Sequence, residues 1–136
     1  MALVLQYESD MGNQKKVLIV DDDTGCRELL VMLTARLGYS VFEAADGLEA
    51  IDQACLTHPD LIFMDLLMPR MSGDEATALL KATLPTKDIP IVICTALSRG
   101  PQTTAALDAG AEEILHKPIG MSAIRGALQR YAPTAS

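Results

Sequence analysis

Five short apolar runs punctuate this chain, three of them apolar at nearly every position, and each is followed by a longer stretch with helical spacing. Val17-Leu-Ile-Val20 and Ile91-Val-Ile-Cys94 show the pattern best. A strand with one wet face alternates polar and apolar residues, whereas a strand covered on both faces has no reason to alternate. The runs therefore predict strands near 16–21, 40–44, 60–64, 90–94 and 112–116, with helices between and after them. The expected fold class is α/β: a doubly wound, five-stranded parallel sheet built from five βα units.

The helix signals agree. Asp46-Gly-Leu-Glu49 and Ser72-Gly-Asp-Glu75 have the spacing of a capping box, in which an N-cap oxygen and the N3 carboxylate satisfy free amides of the first turn. Leu29, Leu30, Leu33 and Leu37 form one stripe at helical spacing, and Ala76, Leu79, Leu80 and Leu84 form another; both are expected to face the core.

With 136 residues, 49% of them hydrophobic, the chain has room for one sizeable core. The reading assigns residues 1–14 to an N-terminal leader, 15–131 to the domain and 132–136 to a C-terminal tail. A net charge of −7 opposes a phosphate-backbone contact surface, so no direct nucleic-acid binding is expected. No run has the length of a membrane span, so no membrane insertion is expected either. Cys26, Cys55 and Cys94 are widely and unequally spaced, which fits reduced thiols and a cytoplasmic protein.

Acidic and hydroxyl residues gather where the apolar runs end. Asp21 and Asp22 follow the first strand, Asp65 ends the third just before Pro69, Thr95 ends the fourth and Lys117 follows the fifth. In such sheets the ligand crevice lies outside the carboxyl ends of the strands. Two like charges about 4 Å apart repel by on the order of 4 kcal/mol at an effective dielectric near 20, so three carboxylates call for a cation. Oxygen-only ligands favour Mg²⁺ over zinc, making Asp21, Asp22 and Asp65 the candidate metal ligands. An ionised carboxylate is itself a nucleophile, and Asp65 is the candidate phosphoacceptor, with Thr95 and Lys117 as donors to the phosphoryl oxygens.

Val17-Leu-Ile-Val-Asp21-Asp22-Asp23, Met64-Asp65-Leu-Leu-Met68-Pro69, Ser72-Gly73, Ile93-Cys-Thr95-Ala96 and His116-Lys117-Pro118 together resemble the signature of response-regulator receiver domains, over about Lys15 to Tyr131. The resemblance implies the flavodoxin-like (βα)5 fold of two-component signalling. It implies that Asp65 takes phosphate from a sensor histidine kinase or a histidine phosphotransfer protein, acting as a signalling phosphoacceptor and not an enzyme of free substrates. It further implies that Asp21 and Asp22 organise Mg²⁺, that Leu67 adds its backbone carbonyl, and that Thr95 swings toward the aspartyl phosphate. Lys117 would pair with that phosphate, the Lys117-Pro118 bond would be cis, and Ala96 would leave space for the phosphoryl group. The output would be a contact with a downstream protein target or a homodimer, and the chain is expected to be a receiver alone, without a DNA-binding output domain.

Three positions depart from the family pattern. Receivers commonly carry Tyr or Phe three residues before the lysine, and here that switch position is Ile114. Coupling from Thr95 to the face of the fourth helix, fifth strand and fifth helix is expected to weaken. Leu67 and Leu97 are apolar where a polar side chain would orient attacking water, so slow self-dephosphorylation is expected. Two other classes compete. A haloacid-dehalogenase-type phosphohydrolase would need Thr where Gly25 stands and would turn over a free phosphate ester; a pseudo-receiver would keep the fold without phosphotransfer.

Overall fold

The computed structural model describes residues 14–134. Its elements alternate strictly: β1 (Lys16–Val20), α1 (Thr24–Arg36), β2 (Ser40–Ala44), α2 (Gly47–Thr57), β3 (Leu61–Asp65), α3 (Gly73–Ala82), β4 (Ile91–Thr95), α4 (Pro101–Asp108), β5 (Glu113–His116) and α5 (Met121–Tyr131). The strands form one parallel sheet in the order β2-β1-β3-β4-β5, the flavodoxin-like arrangement expected. Apart from Gln14, the expected leader lies outside the described residues, as does the end of the tail. Ala132, assigned to the tail by sequence, is buried, and its carbonyl accepts the Tyr39 hydroxyl at 2.8 Å.

The unbroken apolar runs have a direct explanation in the packing. Side chains alternate across each strand, and both sets are buried. Leu18, Val20, Ile62, Met64, Ile91 and Ile93 meet Ala50 and Ala54 of α2, Ala76 and Leu80 of α3 and Ala106 of α4. Val17, Ile19, Leu61, Phe63, Val92 and Cys94 meet Ile124, Ala127 and Leu128 of α5, the half-buried Leu30 and Leu33 of α1, and Leu37 just past its end. Each fully buried aliphatic of this size contributes about 1.5–3 kcal/mol.

Three stripe residues are not core. Leu29, Leu79 and Leu84 are exposed. Helices on a sheet bury a narrow strip, and Leu29 and Leu79 lie at its edge, while Leu84 falls beyond the end of α3. The two expected caps also differ in detail. At α2, Asp46 accepts the Glu49 amide at 2.9 Å, but the Glu49 carboxylate reaches the Ala45 amide, one residue before the cap. At α3, the Glu75 carboxylate accepts both the amide and the hydroxyl of Ser72.

The strand order reverses between β1 and β3. In register, Val20 lies beside Met64, Asp65 beside Cys94 and Thr95 beside His116. The loops after four strands therefore open on one side of the sheet.

Candidate functional site

Asp21, Asp65, Thr95 and Lys117 come together at that carboxyl edge, with Asp22 on the rim. Asp21, Asp65 and Thr95 are buried, Lys117 is half-buried and Asp22 is exposed. Each backbone position is fixed by hydrogen bonds that prolong the sheet: the Asp21 amide donates to the Ala44 carbonyl at 3.1 Å, and the Lys117 amide to the Thr95 carbonyl at 2.8 Å. The Lys117-Pro118 bond is cis, as the family resemblance implied.

The Lys117 ammonium donates to Asp21 Oδ2 at 2.8 Å and lies 3.6 Å from Asp65 Oδ2. The other Asp65 oxygen accepts the Leu66 amide at 2.8 Å. One carboxylate oxygen from each of Asp21, Asp22 and Asp65 lies within 4.8 Å of the others. One ammonium does not neutralise three acids in so small a space. Burial, then the neighbouring Asp21 charge, push the Asp65 carboxyl up to about 6, against the opposing pull of Lys117. For Lys117 itself, burial opposes the charge, but the Asp21 hydrogen bond and the charges of Asp65 and Asp21 more than offset it and raise its pKa.

This donor set suits a hard, oxygen-seeking divalent cation. The ligands are carboxylates, one edge of the cluster is open for water, and the surplus negative charge is what a cation would remove. Thr95 Oγ1 accepts the Leu97 amide at 3.1 Å, leaving its own proton free to donate. Leu67 follows Asp65 by two residues with its side chain exposed; Leu97 is half-buried and Ala96 exposed. Ile114 is half-buried and, with Arg99, Thr103, Leu107 and His116, lines a separate cavity of about 480 Å³ beside α4.

A family model described as the response regulator receiver domain matches residues 17–129. The chain belongs to the receiver family. Receivers are signalling phosphoacceptors that work with histidine kinases and phosphotransfer partners, and they bind Mg²⁺ at an acidic pocket of this kind. Response regulator MprA of Mycobacterium tuberculosis (strain ATCC 25177 / H37Ra) is 38% identical to this receiver over 122 residues, which is 87% of this chain and 52% of that protein. This receiver thus spans about half the length of the curated relatives it matches. Chemotaxis protein CheY4 of Vibrio cholerae superposes with a TM-score of 0.81 at 31% identity, covering 87% of this chain and 98% of that one. The receiver domain of a sensor histidine kinase from Pseudomonas aeruginosa PAO1, described with magnesium ion coordinated in its active-site cleft, gives 0.81 at 29% identity, covering 87% and 97%.

Some residues that shape the receiver site were not read from sequence. Arg27 of α1 donates to the Asp21 carbonyl at 2.6 Å while pairing with Glu43 of β2 at 3.1 Å, tying down the acidic loop. Gly73 was read as part of a helix start and of the family signature, without its closeness to Asp65. A Cβ there would lie 2.2 Å from the Asp65 carbonyl oxygen, so the absence of a side chain lets α3 begin directly against the Asp65 backbone. Among the described residues, no helix is long and apolar enough to cross a membrane. The cysteines are free: Cys94 is buried and burial raises its pKa, Cys55 is half-buried and Cys26 is exposed.

Proposed function

We propose that Asp65 accepts a phosphoryl group from a phosphohistidine on a sensor kinase or phosphotransfer protein. The observation that carries this reading is a buried carboxylate held 3.6 Å from an ammonium and within 4.8 Å of two further acids. Asp65 Oδ2 attacks phosphorus as the phosphorus–nitrogen bond of the donor breaks; the electron pair of that bond leaves with the imidazole, and an acyl phosphate remains on Asp65. Asp21, Asp22, Asp65 and the Leu67 carbonyl would hold Mg²⁺, which would supply countercharge to the transferring oxygens. Lys117 lies close enough to exchange part of its contact with Asp21 for a phosphoryl oxygen. Thr95 donates its free hydroxyl proton to another, once the side chain turns toward the phosphate. Both act by stabilising charge that develops during transfer.

The output is a change in protein contact with a downstream target. Ile114 is already packed against the core, so less surface changes when Thr95 moves than with a ring in that position. The test is incubation with Mg²⁺ and acetyl phosphate followed by intact mass. The reading expects one added phosphoryl group in the wild type and none in Asp65→Asn. A wild type that stays unmodified, or a variant that is modified equally, refutes it.

A further inference from the structure

The loop between β3 and α3 is held in an unfavourable shape by two residues at the start of α2. Arg70 has φ +67°, in the left-handed region that non-glycine residues rarely occupy. Around it, the Met71 amide donates to the Pro69 carbonyl at 2.7 Å, closing a three-residue turn of a strained type. Such conformations persist only where the surroundings impose them. Here the surroundings are identifiable. Arg70 Nε donates to Asp46 Oδ2 at 3.0 Å and Arg70 Nη2 donates to the same oxygen. Met71 packs so closely on Gly47 that a Cβ there would lie 2.8 Å from the Met71 carbonyl oxygen.

Asp46 is a rigid anchor. It is buried, and its other carboxylate oxygen accepts the Glu49 amide, so only the arginine side has to be ordered when the pair forms. The Glu49 amide and the Arg70 guanidinium hold the Asp46 carboxyl below its ordinary range, so it stays charged. The loop's other end is fixed where the Gly73 amide donates to the Leu66 carbonyl at 2.8 Å. Leu67 lies between these two anchors.

We infer that Asp46 and Arg70 are positioning residues: their ion pair fixes the β3–α3 loop that carries the Leu67 carbonyl, and so sets how tightly the site beside Asp65 holds a divalent cation. Neither residue hydrogen-bonds to Asp65 or belongs to the acidic cluster. The inference rests on the phosphoacceptor reading and adds the part of the chain that tunes it.

The test is a Mg²⁺ titration of the full chain followed by backbone amide shifts, with the acetyl phosphate reaction rate measured against Mg²⁺ concentration. Arg70→Gly keeps the φ and loses the guanidinium; Asp46→Asn keeps an oxygen for the Glu49 amide and loses the charge. Each is expected to weaken Mg²⁺ about tenfold, in the manner of residues that orient metal ligands. The reaction rate at saturating Mg²⁺ should stay within about twofold of wild type, because the loss is in binding and not in transfer. Arg70→Lys should restore part of the affinity. The double variant should lose no more than the worse single one, since both remove one interaction. A structural role alone would lower the unfolding free energy without moving the Mg²⁺ affinity of folded protein. Unchanged affinity in Arg70→Gly, or additive losses in the double variant, overturns the inference while leaving the phosphoacceptor reading intact. A wild type that neither binds Mg²⁺ nor takes a phosphoryl group removes that reading, and the inference falls with it.

Discussion

Replacing Asp65 should make the metal-free protein more stable. An unfolded aspartate releases its proton near 3.8, while folded Asp65 keeps it to about 6. Between these values the folded state binds more protons than the unfolded one, so stability falls as pH rises through the window and stays lower above it. A shift of about two pKa units corresponds to about 3 kcal/mol, at about 1.36 kcal/mol each. Asp65 faces an open crevice, and solvent screening reduces this to roughly 1–2 kcal/mol. Asp65→Asn removes the charge and retains an oxygen for the Leu66 amide. Urea unfolding in EDTA at about pH 8 should find the variant more stable by about that amount, with the two curves converging near pH 4. Mg²⁺ at about ten times its Kd should then add about 1.4 kcal/mol to the wild type and little to the variant. A variant no more stable than wild type in EDTA, or equal Mg²⁺ stabilisation of both, refutes the electrostatic account of the site.

Lys117→Met removes the larger of the two pulls that lower the Asp65 pKa, the other being the Leu66 amide, so the stability loss on raising pH should shift to higher pH in EDTA, read from the same unfolding series. Gly73→Ala forces a methyl group against the Asp65 carbonyl oxygen; unfolding should show a loss of about 1–3 kcal/mol, and acetyl phosphate should modify the variant more slowly. Leu67→Asn supplies a polar group beside the acyl phosphate, and a decay time course should show faster dephosphorylation than in a slowly decaying wild type. No acceleration would remove the proposed link between Leu67 and phosphate lifetime.

The sheet was legible because each central strand is covered on both faces, which leaves an apolar run that few other structures require. Asp21, Asp65 and Thr95 were legible because chemistry in such sheets gathers at strand tips, and a buried tip is a costly place for an acid without purpose. The helix faces were less so: periodicity identifies an apolar stripe but not how much of it the sheet covers, which is why Leu29 and Leu79 proved exposed. Contacts that depend on the arrangement of loops carried no signal. Asp46 and Arg70 are separated by 24 residues and look like an ordinary cap and an ordinary surface arginine until α2 and the β3–α3 loop are brought together. Gly73 carried half of its message, a helix start, and withheld its closeness to Asp65.

The central claim is that the phosphoryl group rests on one particular carboxylate. Borohydride reduction of the phosphorylated protein, followed by peptide mass mapping, reads the position of an acyl phosphate directly, since the activated acyl carbon is reduced to the alcohol of homoserine as phosphate leaves. Homoserine at position 65, dependent on Mg²⁺, is the predicted result; conversion at Asp21 or Asp22, or phosphate recovered on His58 or His116, would contradict it.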